Sequence, residues 1–184
     1  MSKLYVDEIY SKTTGGNITA NNNIIQPNLI GFHARGTDIG NGYNTLTAYG
    51  GQGTAVKFGN SANTSGSGQT GGIGVMDWNS GHYSTSTGEF TTPVAGVYQV
   101  NLSMGIFVCD QNESAYPQLL KNGNGVIYSY WHNNASATVN LPLGFSLSLK
   151  LAVGDVVKVT LSGSGNMQFY GGRLENTFSM HLIG

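Results

Sequence analysis

The chain has 184 residues and 19.4 kDa, with a formal net charge of −1 and only 9% charged side chains. Two arginines, Arg35 and Arg173, and six scattered lysines cannot supply the clustered positive charge that displaces counterions from nucleic acid. At 39% hydrophobic residues the chain is too apolar for a disordered polymer, yet no apolar run reaches the length that spans a bilayer.

Glycine is abundant at 28 residues and proline scarce at 4, with many Asn, Ser and Thr beside them. Turn formers mixed with Val, Thr, Tyr and Phe predict an all-β domain. Residues 1–28 stand apart. "MSKLYVDEIYSKTTGGNITANNNIIQPN" has short apolar pairs, a Gly-Gly and an Asn triplet before Pro27, and cannot bury a core of its own. It reads as an extended arm. Leu4, Tyr5, Val6 and Ile9 form an apolar set able to add a strand to a neighbouring sheet edge, and they are the candidate attachment residues. Charge follows Met1 where a secretory signal would be apolar, which predicts synthesis and assembly in a cytoplasm. On that expectation, the Asn-x-Ser/Thr triplets at Asn17, Asn63, Asn101, Asn112 and Asn134 are accidents of composition.

The head is expected over residues 29–184. "LIGFHAR" predicts its first strand, a weak strand is expected around Ala55–Phe58, and a long loop over Gly59–Gly72. From Tyr98 the chain keeps a strict two-residue beat. Tyr98, Val100, Leu102, Met104 and Ile106 alternate with Gln99, Asn101, Ser103 and Gly105, the period of a half-buried strand. Cys109, the single cysteine, reads as a small buried hydrophobe. "PQLLKNGNGVIYSYW" predicts a hairpin, with Asn122-Gly123 supplying the positive φ of a tight turn. Phe145, Leu147, Leu149 and Leu151, then Val157, Val159 and Leu161, continue the alternation on either side of Gly154-Asp155. With no competing helical window, the count is about eight to ten strands, as in a sandwich or jelly roll.

"NSGHYSTSTGEFTTPVAGVYQV" carries a likeness to a known family. Asn79, Gly81, Tyr83, Thr87, Gly88, Phe90, Thr91, Pro93, Gly96 and Tyr98 stand where the complement globular-head domain, related in fold to tumour necrosis factor, keeps its signature. "LLKNG", "LKLAVGDVVKV" and a last strand around Phe178 extend the resemblance over residues 29–184. It implies a ten-stranded jelly-roll sandwich that closes as a homotrimer, with Tyr83, Phe90, Pro93, Gly96, Tyr98 and Phe178 as core and signature positions. The arm resembles the first residues of small structural proteins of tailed bacteriophages, particularly those of marine bacteria. That likeness implies a virion protein whose partners are its own copies and a capsid, collar or tail protein.

No Gly-x-Ser-x-Gly elbow is present, and His33, His82, His132 and His181 form no metal-binding pair. The nine acids are dispersed rather than paired for sugar hydrolysis. The chain is therefore expected to be no enzyme and to need no cofactor. Asp110, Asn112 and Glu113 in "CDQNES" are the one local oxygen cluster; they read either as a calcium loop or as a solvated turn. Trp131, His132 and Asn133 combine a stacking face with polar donors and acceptors, which suits a host-surface glycan. The competing reading has Trp131 capping the sandwich and Tyr128 and Tyr130 packing between subunits, with Trp78 packed beside the signature.

Overall fold

The computed structural model describes residues 30–36, 43–47, 54–59, 72–108, 110–136, 141–164, 166–170 and 176–184. The arm with Leu4, Tyr5, Val6 and Ile9, the interior of the Gly59–Gly72 segment and Cys109 lie outside them. Sixteen strand segments and no helix occur among the described residues.

Two antiparallel sheets face each other. The first is built around β9 (Gly96–Val108), the thirteen-residue strand with the two-residue beat. β13 (Leu141–Leu151) pairs with one edge of β9 along its length. The other edge takes β16 (Thr177–Leu182) and, further along, β15 (Asn166–Tyr170). β1 (Gly31–Arg35) joins β16, β6 (Val75–Asn79) forms one outer edge, and β2 (Tyr43–Thr47) pairs with β15.

The second sheet runs β11 (Asn124–Tyr128), β10 (Ser114–Lys121), β14 (Val156–Gly163), β8 (Glu89–Thr91), β7 (Tyr83–Ser84). Two short segments extend it: β12 (Trp131–His132) on β10 and β3 (Thr54–Ala55) on β14. A parallel pair, β4 (Lys57–Phe58) and β5 (Gly72–Ile73), stands apart. The all-β jelly roll is as expected. The segment count exceeds ten because five pieces are only two residues long and because β2 adds a strand ahead of the one expected around Ala55–Phe58.

Alternation decides which side chains meet between the sheets. From the first sheet come Phe32, Ala34, Tyr98, Val100, Leu102, Met104, Leu143, Phe178 and Met180, and from the second Phe90, Ala115, Leu119, Val157, Val159 and Leu161, all buried. Six buried rings cluster at the centre, with Phe58 5.0 Å from Phe178. Phe32 stacks on Tyr83 at 4.1 Å and meets Phe178 edge-on at 4.9 Å, while Phe90 lies 5.7 Å from Phe32 and 5.8 Å from Tyr98. Full burial of one such side chain contributes about 1.5–3 kcal/mol, with offset or edge contacts between rings adding about 0.5–1.5 kcal/mol.

Local chemistry makes the corners. After Pro93 the chain bends into β9, and the Tyr98 hydroxyl donates to the Val94 carbonyl at 2.7 Å, so the strand pins its own entry. Gly96 is needed for close approach: a Cβ there would meet the Gly184 carbonyl and the Leu182 side chain of the last strand. The β10–β11 hairpin turns at Asn122 (φ 50°) and Gly123 (φ 80°), the positive pair that a tight two-residue turn demands.

Candidate functional site

The outward faces of the two sheets differ in chemistry. On the first, β9, β13 and β16 present neutral amides and hydroxyls that bond across strands. Gln99 Nε2 donates to Ser146 Oγ at 3.0 Å, Ser146 Oγ donates to Asn101 Oδ1 at 2.7 Å, and Ser148 Oγ donates to Gln99 Oε1 at 3.1 Å. Asn101 Nδ2 reaches Ser179 Oγ at 3.4 Å. Beside this ladder, on β1 and β6, Asp77 accepts from Arg35 Nε at 2.9 Å and lies 3.1 Å from His33 Nδ1. The face is polar, internally paired and nearly charge-balanced.

The second sheet carries three tyrosines on its outward face. Tyr116 on β10 has the Tyr128 ring at 6.0 Å and the Tyr130 ring at 5.9 Å. Tyr128 is 60% exposed and Tyr130 56% exposed. Strand parity explains the grouping. Leu119 faces the core, so its register partner Ile127 packs inward and Tyr128, opposite Gln118, points out. Continuing the beat brings Tyr130 out and Trp131 in.

That parity separates the predicted ligand residues. Trp131 lies opposite buried Ala115 and packs against the core, half-buried. His132, opposite Ser114, is half-buried at the rim. Asn133 is fully buried: its Oδ1 accepts from the Ala135 amide at 2.9 Å, and its backbone bonds to Asn112 and Glu113. Asn133 is therefore withheld from a surface ligand, and the three residues do not form one exposed patch. The exposed rings are the neighbouring Tyr128 and Tyr130, whose signal was the same two-residue beat that marked the hairpin.

Glu113 folds back on its own turn, its Oε2 taking the Asp110 amide at 3.0 Å, and Asn112 sits at φ 64°. Among the described residues no three His, Cys, Asp or Glu side chains converge as a metal site. Of the signature residues, Tyr83, Phe90, Tyr98 and Phe178 are core, while Pro93 and Gly96 are half-buried at the corner. The Tyr83 hydroxyl accepts from the Phe58 amide at 3.0 Å, and burial pushes its phenol far above the ordinary value; Tyr98 is raised for the same reason. Trp78, opposite His33, is half-buried.

Two further features lie at the ends of the sandwich. An open depression of about 370 Å³ is lined by Gly81, His82, Tyr83, Ser84, Thr87, Glu89 and Thr91, with Glu89 paired to Lys158 at 3.0 Å. Asp155 ties two turns together. Its carboxylate accepts from Lys121 Nζ at 2.8 Å, the Ala152 amide at 2.8 Å and Asn122 Nδ2 at 2.7 Å, and these bonds, the Lys121 one foremost, lower its pKa to about 2.

Comparison with known proteins places this architecture. The family model for the C1q domain matches residues 75–183. Among solved structures, the chain is similar to the Eiger TNF of S. frugiperda, with 11% identity, a TM-score of 0.57, and 84% of this chain and 92% of that chain covered. It is also similar to the globular domain of zebrafish complement 1qA protein, with 20% identity, a TM-score of 0.53, and 84% and 97% coverage. No curated protein sequence matches the chain.

Proposed function

Because the chain belongs to the C1q-domain family, we propose that it works as a non-catalytic trimeric head, the structural protein of a tailed-phage particle to which its N-terminal arm attaches it. Domains of this kind commonly form homotrimers. The observation that carries the self-association is the outward face of the first sheet. Gln99, Asn101, Ser146, Ser148 and Ser179 satisfy one another there without charge, so a like face can approach over this ladder without burying an unpaired ion, the exposed Lys150 standing at its end on β13. The arm's likeness to small phage structural proteins supports the particle, and Leu4, Tyr5, Val6 and Ile9 are its proposed contacts with a capsid, collar or tail protein. Such a head acts as a decoration, short fibre or knob of the virion, assembled in the host cytoplasm and needing no cofactor.

Light scattering tests the assembly, with an expected mass three times the 19.4-kDa chain. A folded monomer at micromolar concentration overturns it. Deleting residues 1–26 is expected to leave the trimer intact and to exclude it from assembled particles. Normal incorporation of the shortened chain overturns the anchoring role.

A second reading, recognition of a glycan on the host surface, is favoured by one observation: the second sheet exposes a cluster of aromatic rings that the core does not use. Binding of isolated heads to host cells tests it.

A further inference from the structure

We propose that Tyr116, Tyr128 and Tyr130 form a stacking platform for the uncharged pyranose units of a polysaccharide. The inference rests on the recognition reading above and assigns it a site. Tyr116, the less exposed ring, contacts both others, and the two exposed rings are tilted from it by 62° and 36°. Three ring faces are thereby fanned over a short stretch of sheet rather than closed into a stack, leaving faces open to a flat apolar partner.

The ends of the rings matter as much as the faces. The two core tyrosines have hydroxyl partners, Tyr83 with the Phe58 amide and Tyr98 with the Val94 carbonyl. None of the three surface hydroxyls bonds to a described residue, so each keeps a donor and an acceptor for a ligand. Around them stand neutral groups. Gln118 is the register partner of Tyr128; Ser114, two residues along the same face, pairs its hydroxyl with that of Ser164, and Ser162, the register partner of Tyr116, is buried. The lysines of these strands, Lys121 and Lys158, are already paired with Asp155 and Glu89.

Apolar ring faces edged with unpaired phenol hydroxyls and the Gln118 amide, with no unpaired lysine or arginine among the described residues close by, match the chemistry of a neutral sugar: C–H groups on one side and hydroxyls around the rim. Among the described residues no unpaired lysine or arginine stands there to hold a phosphodiester or an acidic sugar, and His132, opposite Ser114, is the imidazole at the rim. A protein partner, a second copy included, is the competing occupant, and the experiment separates it.

The full-length native assembly is titrated with maltohexaose, cellohexaose, mannohexaose and chitohexaose, with tyrosine ring resonances as the readout. At least one oligosaccharide is expected to shift the resonances of Tyr128 and Tyr130 with a Kd of about 1 mM, the scale of a weak single site. The Tyr128→Ala/Tyr130→Ala double variant is expected to weaken binding at least tenfold, with Tm and assembly mass unchanged. Cell adsorption is measured for both proteins. If native heads adsorb and the double variant adsorbs equally, the platform is overturned while recognition stands. If native heads neither adsorb nor respond to any of the four oligosaccharides, recognition and platform fall together. If Tyr128 and Tyr130 resist iodination in the native assembly, or the double variant loses its assembly mass, the rings pack between protein copies and the platform is overturned.

Discussion

The molecule holds two clusters of aromatic rings with similar spacing and opposite surroundings. In the core, Phe32, Tyr83, Phe90, Tyr98 and Phe178 meet at 4.1–6.1 Å, fully or almost fully buried, and the two tyrosines have hydrogen-bonded hydroxyls. On the second sheet, Tyr116, Tyr128 and Tyr130 meet at about the same distance, two of them more than half exposed. Ring spacing alone therefore does not tell a core cluster from a surface one. Burial and the state of the hydroxyls do. A fold that needed the surface rings would cover them and satisfy their polar ends; this one covers and satisfies only the first set.

Substitution tests that contrast, and the largest effect is expected in the core. Phe90→Ala removes a ring in contact with both Phe32 and Tyr98, and denaturant unfolding should show a loss of about 3–5 kcal/mol. A loss below about 1 kcal/mol would mean that the central cluster is no more structural than the surface one.

A smaller effect is expected from a polar contact that supports the core sheet. Asn176 is fully buried, and its Oδ1 accepts from the Gly105 amide of β9 at 2.7 Å. Asn176→Ala leaves that amide without its side-chain acceptor, and unfolding should register a cost of about 1–3 kcal/mol. An unchanged midpoint would show that the contact does not hold β16 to β9.

Asp155 gives the same logic a pH axis. Its carboxyl is lowered from an ordinary 3.8 to about 2, so the folded state binds its proton less tightly than the unfolded chain does. The stabilisation is therefore complete above the ordinary value and disappears as the pH falls through about 2. Asp155→Asn is expected to lower Tm by a few degrees at neutral pH, and the gap to the native protein should close as the pH approaches 2. A gap that is constant from neutral to pH 2 would assign the loss to something other than this charge.

The smallest effect should come from the surface rings. Tyr128→Ala and Tyr130→Ala are each expected to change stability by less than about 0.5 kcal/mol in the same denaturant assay. A cost comparable to that of Phe90→Ala would erase the distinction between the two clusters.

Much of this architecture was legible in the residues. Alternation from Tyr98 to Met104 and from Phe145 to Leu151 marked the inward faces of β9 and β13, because neighbouring side chains on a strand must point to opposite faces. Asn122-Gly123 announced its turn, because few other pairs accept two positive φ angles. The signature from Asn79 to Tyr98 led to the right family. The surface around the second sheet's rings was read less well. Trp131 drew attention as the largest ring, yet parity turns it inward, and the burial of Asn133 in a turn lies beyond what composition reveals.

The sequence by itself determined which residues of each strand face in, where the tight turns fall and to which family the chain belongs, since these depend on neighbours two or three positions away or on a local motif. Only the tertiary structure decided which outward residues stand together. Gln99 meets Ser146 across 47 positions, Asn176 reaches Gly105 across 71, and Tyr116 comes beside Tyr128 and Tyr130 through the register of one hairpin. Register is set by the packing of all strands at once, and shifting one strand by a single residue would exchange its buried face for its exposed one.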